Sequence, residues 1–281
     1  MTTGAQSNVE IDHIRKHYDR LSFLYRFFWG EHIHHGYWED HESIEHAQVQ
    51  LMERLAQRAA IPRGAQVLDI GCGLGGSACW LAEKYDCRVT GFTISPVQVR
   101  MATSKAKAKG LSERVRFQVV DANLWEPQPE SVDAIWIIES SEHFRNKRDF
   151  FARCTAALRP GGALAVCAWL RGDRPMQGDD EKLVATIEKA MLTASLNTLG
   201  EYESWMRDAG LKVEAAEDIT QRIAPTWDHC SRLAEGLPLR FLLNFVDDPT
   251  RRFVQSFPLM KQAYAEGVMA FGLFAAKKTR D

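Results

Sequence analysis

Val67-Leu68-Asp69-Ile70-Gly71-Cys72-Gly73-Leu74-Gly75-Gly76 is an apolar run that carries one acidic residue, breaks into glycines and leads into a helical pattern. Val and Leu ahead of the turn suit a buried parallel strand, and glycines let backbone approach a ligand more closely than any Cβ permits. The stretch reads as strand, tight turn and helix start, an arrangement suited to cradling a nucleotide-like cofactor.

Outward from this turn, strand-like runs at 66–70, 88–93, 115–119, 132–137 and 162–169 alternate with helical patterns. Two late runs, about 211–217 and 268–276, bring the set to seven. This alternation predicts an α/β fold with a doubly wound, Rossmann-like parallel sheet. Gly161-Gly162 after Pro160 predicts a turn into the fifth strand, with Pro160 ending the helix before it. Residues 1–60, about 171–198 and about 222–262 fall outside this plan. The expected organisation is an N-terminal helical lid over 1–60 and a cofactor-binding core over 61–281. The core's two insertions would cap an acceptor site, because ligands of open α/β sheets lie beyond the carboxyl ends of the strands.

Composition narrows the function. The chain has 281 residues, 45% of them hydrophobic, enough to bury a full core. A net charge of -2 gives no general attraction to nucleic acid or to anionic membranes. No apolar run approaches the ~20 residues of a membrane span, so no stable membrane insertion is expected. Met1-Thr2-Thr3-Gly4-Ala5-Gln6 begins no signal peptide. The six cysteines form neither a CxxC pair nor a disulfide framework, which predicts a cytoplasmic protein. No pattern sets an oligomeric state.

Gly71-x-Gly73-x-x-Gly76 also satisfies the dinucleotide fingerprint. An NAD(P)-dependent oxidoreductase would carry an acidic residue for the ribose at the end of the next strand, and Arg88-Val89-Thr90-Gly91-Phe92-Thr93-Ile94-Ser95 has none. Asp69, two residues before the first glycine, suits an amino-acid-like ligand with a positively charged end. Asp-x-Gly-x-Gly at this place resembles motif I of class I S-adenosylmethionine (SAM) methyltransferases.

Three more phrases sharpen the resemblance: Trp29-Gly30-Glu31-His32-Ile33-His34-His35-Gly36-Tyr37-Trp38, Gly91-Phe92-Thr93-Ile94-Ser95-Pro96-Val97-Gln98 and Glu139-Ser140-Ser141-Glu142-His143-Phe144. Together with motif I they look like the γ-tocopherol methyltransferase group. That group is similar to natural-product sugar O-methyltransferases, plant alkaloid N-methyltransferases and, more distantly, cyclopropane fatty acid synthases. The tail from Phe257 to Val268 resembles the tocopherol branch, whose plant members carry a plastid transit peptide not expected here. The resemblance implies a seven-stranded class I methyltransferase sheet and SAM as cofactor. It also implies methyl transfer to a small hydrophobic or aromatic acceptor, either tocopherol- or quinol-like or a natural-product O, N or C acceptor. Methylene transfer to a lipid alkene is the alternative reading, and an NAD(P)-dependent oxidoreductase is the remote one. A non-catalytic SAM-binding protein is a third class.

Carried over residue by residue, the resemblance implies that Gly71, Cys72 and Gly73 present backbone to the methionine part of SAM. Asp69 would orient the turn or meet the amino group. Thr93, Ile94 and Gln98 match a ribose-contacting stretch, Asp121 and Ala122 the adenine edge, and Trp125 a cover for the adenine face. The structural alternative for Asp121 is a helix or turn cap, a role Asp often fills. The fourth strand delivers Glu139, Glu142 and His143 to the ligand edge, where such neighbours shift one another's pKa. Glu142 and His143 are the expected acceptor-facing catalytic pair, with Glu139 nearer the cofactor. Capping of the loop or pairing with Arg145, Lys147 or Arg148 would explain the same residues structurally.

The N-terminal segment is rich in aromatic residues, which suits a helix docked on the core. It also suits pocket walls facing a sulfonium, with Tyr18, Tyr37 and Trp38 as candidates. His34, within the cluster His32, His34 and His35, is a candidate cofactor-pocket residue. No carboxylate or cysteine completes an obvious metal ligand set, so no metal is expected. Tyr202 and Trp227 are candidates for reaching the acceptor, and the apolar run Leu237, Leu239, Phe241, Leu242, Leu243 and Phe245 for lining a lipophilic pocket.

Overall fold

The computed structural model of the chain describes residues 14–16, 19, 29–236 and 247–280. Its centre is a seven-stranded sheet: β1 (Gln66–Ile70), β2 (Arg88–Thr93), β3 (Val115–Val119), β4 (Val132–Ile138), β5 (Leu158–Arg171), β6 (Leu211–Asp218) and β7 (Met269–Lys278). The strand order is β3-β2-β1-β4-β5-β7-β6. The first five strands pair parallel. β7 inserts antiparallel between β5 and β6, so the expected seven-stranded, doubly wound sheet is a mixed one.

Alternation along the strands divides the core. Val67, Ala134 and Trp136 pack on one face with Leu51, Met52 and Leu55 of α1 (Ile44–Ala59). Leu68, Ile70, Ile135 and Ile137 pack on the other with Phe150 and Phe151 of α4 (Lys147–Ala157). Between them along the chain come α2 (Gly76–Tyr85) and α3 (Pro96–Ala108), which join β1 to β2 and β2 to β3. The second half adds α5 (Gly178–Met191), α6 (Leu199–Asp208), α7 (Thr220–Ile223), α8 (Pro225–Glu235), α9 (Asp248–Gln255) and α10 (Phe257–Ala265).

Two expectations change here. α1 belongs to the segment read as a lid, yet its apolar face packs against the sheet. The turn expected at Gly161-Gly162 lies inside β5: Leu158 pairs with Val132, Ala163 pairs with Ala134, and the extra residues form a bulge with Gly161 at φ 79°. Helix α4 ends at Ala157, three residues before Pro160. A third core joins Trp29, Ile187 and Met191 of α5, Trp227 of α8 and Phe253 and Phe257 of the last two helices. This separate cluster stands at the edge of the sheet where the site forms. No helix among the described residues is long and apolar enough to cross a membrane.

Candidate active site

The glycine turn is shaped by what presses on it. Gly71 has φ 85°, and a Cβ there would lie 2.2 Å from Cβ of Ser140. The N–H groups of Gly71 and Cys72 both donate to the Phe92 carbonyl at 2.9 Å, which ties the turn to the end of β2. Their amides are therefore committed within the protein, and only the remaining backbone of the turn can meet a ligand. A Cβ on Gly76 would lie 2.5 Å from the Glu31 carbonyl oxygen, so the segment around Glu31 and His32 crosses directly over the start of α2. Beneath that crossing, Ile33, His34, Asp69, Gly71, Cys72 and Gly73 help line a recess of about 320 Å³. Asp69 is buried, and its Oδ2 has no hydrogen-bond partner among the described residues. Burial pushes its carboxyl up to about 7. A cationic group entering the recess would both satisfy that oxygen and return the carboxyl to its charged form.

Beside the recess a cleft of about 820 Å³ runs along the carboxyl ends of β1, β2 and β3. Thr93, Ile94, Gln98, Asp121 and Ala122 all line it, together with Ile14 and Asn123. The Thr93 hydroxyl donates to Gln98 Oε1 at 2.6 Å, which leaves the Gln98 amide N–H₂ as the donor end. Ser95 caps α3 by accepting from Gln98 N–H at 3.0 Å, and its hydroxyl donates to Asp19. Asp121 does form a turn, its Oδ1 accepting from Asn123 N–H at 2.9 Å, but Oδ2 is buried and without a partner among the described residues. Trp125 is not part of the lining: it packs edge-on against Phe92 at 6.2 Å. The loop that carries it is pinned by Arg153, whose guanidinium donates to the carbonyls of Ala122, Asn123 and Trp125.

The end of β4 supplies the titratable groups. Glu139 adopts φ 50°, a left-handed conformation costing a non-glycine residue about 1–2 kcal/mol. Its carboxylate accepts from His35 N–H at 2.6 Å, from His35 Nδ1 at 2.8 Å and from the Trp169 indole N–H at 2.8 Å. Burial alone would raise the Glu139 carboxyl, but the adjacent His35 and these donors hold it below its ordinary value. Glu142, by contrast, is pushed up to about 8 by burial, although its Oε1 accepts from Trp169 backbone N–H; Oε2 has no partner among the described residues. His143 donates through Nδ1 to the Leu192 carbonyl at 2.9 Å, which fixes its tautomer and leaves the lone pair on Nε2. Burial lowers its pKa, so the ring is neutral at pH 7.

A second chamber of about 520 Å³ opens behind this turn. Trp29, Met191, Trp227 and Phe253 give it apolar walls, while His34, His35, Glu139, Glu142 and His143 give it a polar floor. It shares Ile33, Glu139 and His143 with the cleft. Titratable groups of different protonation state thus face an aromatic-walled space that shares its wall with a nucleotide-sized cleft.

Several expected residues lie elsewhere. Tyr37 is buried under α1 with the Arg54 guanidinium 4.9 Å from its ring centroid, and Trp38 donates to the Thr226 hydroxyl at 2.9 Å. Neither lines the chamber, because close packing of Gly36 on Ala47 draws this stretch down onto α1. Tyr202 is stacked on Phe274 at 5.3 Å, and its hydroxyl pairs with Ser141, so it backs the acidic turn from the core. Tyr18 and the apolar run from Leu237 to Phe245 lie outside the described residues. His34 touches the recess and the chamber rather than the cleft, and Trp227 lines the chamber as expected. His35, Trp169, Met191, Thr193 and Phe253 were missed. Trp169 closes the strand expected at 162–169 and so stands at the same edge as Glu139, a signal the sequence did carry. No group of three or more His, Cys, Asp or Glu residues that could hold a metal occurs among the described residues.

Residues 5–237 match the mycolic acid cyclopropane synthetase family. The chain is 36% identical to 27-O-demethylrifamycin SV methyltransferase of Amycolatopsis mediterranei over 228 residues, 80% of this chain and 82% of the relative. It is 27% identical to the chloroplastic tocopherol O-methyltransferase of Arabidopsis thaliana, over 94% of this chain and 81% of the plant protein. Among solved structures, the cyclopropane synthase MmaA2 from Mycobacterium tuberculosis superposes with a TM-score of 0.84 at 20% identity, covering 95% of this chain and 98% of that one. The orphaned carboxyl oxygens of Asp69 in the recess and Asp121 in the neighbouring cleft fit the cationic amino-acid end and the nucleoside end of SAM. The chain belongs to the mycolic acid cyclopropane synthetase family and is a SAM-dependent methyltransferase of class I fold.

Proposed function

We propose that the enzyme methylates a small, hydrophobic or aromatic molecule bound in the second chamber, with His143 receiving the proton of the accepting group. The observation that carries this reading is the shared wall: Ile33, Glu139 and His143 border both cavities. SAM supplies an electrophilic methyl group on its sulfonium. In this reading Asp69 receives the amino group, Gln98 meets the ribose, and Asp121 with Ala122 meets the adenine. His143 accepts a proton at Nε2, its ring aligned by the Leu192 carbonyl. Glu139 stays ionised between His35 and Trp169 and holds that part of the wall in place. The apolar walls exclude water and orient the acceptor, which lowers the barrier by positioning. A cytoplasmic location belongs to the same reading, supported by six free, buried cysteines.

The test is mass spectrometry of a small-molecule extract incubated with the enzyme and SAM bearing a fully deuterated methyl group. A product that keeps every deuterium supports methyl transfer and gives the acceptor by its mass. The family's name favours a second reading, methylene transfer to an alkene, in which the added carbon loses a proton as the ring closes. A product that has lost one deuterium would replace the first reading with the second.

A further inference from the structure

The loop after α5 is stitched to the acidic turn. Leu192 ends the helix at φ 55° and gives its carbonyl to His143, Ala194 N–H donates to the Glu142 carbonyl at 2.8 Å, and Lys147 Nζ donates to the Ser195 carbonyl at 3.1 Å. Thr193, in the middle of this segment, lines the second chamber beside Glu142. Its Oγ1 is buried with no hydrogen-bond partner among the described residues, and so is Oε2 of Glu142. Two orphaned oxygens on adjoining segments of one apolar-walled chamber are unfavourable unless something polar enters between them.

We infer that Thr193 and Glu142 form a subsite for a second hydroxyl of the acceptor, distinct from the group presented to His143. The inference rests on the second chamber being the acceptor site. A hydroxyl satisfies both orphans, accepting from the protonated Glu142 carboxyl at Oε2 and donating to Thr193 Oγ1. An acceptor anchored at two oxygens has one orientation toward the shared wall, so the pair selects which position is methylated. A site built to hydrogen-bond a substrate group discriminates against the analogue lacking it far better than an apolar pocket does.

The probes are octylhydroquinone and the two octylphenols obtained by removing either hydroxyl. Binding to the full chain saturated with S-adenosylhomocysteine is followed by quenching of tryptophan fluorescence, since Trp29, Trp169 and Trp227 line the chamber. The wild type binds the hydroquinone roughly tenfold more tightly than the better phenol. Thr193→Val compresses that ratio toward one, and Thr193→Ser restores it. The ratio is internal to each protein and so does not depend on the folded fraction; Thr193→Ala serves in place of a valine variant that fails to fold. An equal ratio in wild type and valine variant overturns the subsite, as does uniform weakening of all three probes, which marks a role in shape alone. Failure of every probe to bind overturns the reading of the chamber itself.

Discussion

Replacing Glu142 with Gln removes a buried carboxyl whose titration opposes folding at high pH. The folded state holds that proton up to about pH 8, against 4.5 for the unperturbed group. Below about pH 4.5 both folded and unfolded chains carry the proton and stability is unaffected. Above it the unfolded chain releases the proton while the folded chain keeps it, so stability falls as pH rises and levels off above about 8. The full displacement corresponds to roughly 5 kcal/mol, and relaxation around the charged form reduces this to about 2–4 kcal/mol. Gln keeps the oxygen that accepts from Trp169 N–H and cannot ionise. Urea denaturation of wild type and Glu142→Gln at pH 5 and pH 9 measures the effect. The variant is expected to gain about 2–4 kcal/mol over wild type between the two conditions. A gain below about 0.5 kcal/mol would refute a buried, neutral Glu142 and with it the polar floor described for the chamber.

Other expectations follow from the same geometry. Gly71→Ala places a Cβ against Ser140 at an unfavourable φ, costing about 2–4 kcal/mol; scanning calorimetry should show a melting point lowered by several degrees, with partial recovery in the Gly71→Ala, Ser140→Gly double variant. Asp121→Ala removes the orphaned oxygen in the cleft, and calorimetric titration should show SAM affinity reduced roughly tenfold. His143→Ala should lower kcat about a hundredfold or more for an acceptor that carries a proton, with the SAM dissociation constant little changed.

How much of this was written in the sequence depended on distance along the chain. The strand runs and the Asp69–Gly76 turn were legible because local periodicity and glycine placement dictate them, and five of the seven strands begin at the expected residue. Glu139, Glu142 and His143 were legible together because they follow one strand and cannot be far apart. The orientation of β7 was not legible, since an apolar run carries no direction. Aromatic residues misled most: Tyr37, Trp38 and Tyr202 could serve core or pocket equally well, and only their packing on Arg54, Thr226 and Phe274 assigns them to the core. Thr193 was invisible because its place depends on Leu192 turning left-handed, which no glycine announces.

The crystal structure of the enzyme with S-adenosylhomocysteine bound tests the two-cavity arrangement most directly. The amino group should lie on Asp69, the adenine beside Asp121, and the sulfur at the wall formed by Ile33, Glu139 and His143, facing the second chamber. A sulfur directed to solvent, or walled off from that chamber, would contradict it.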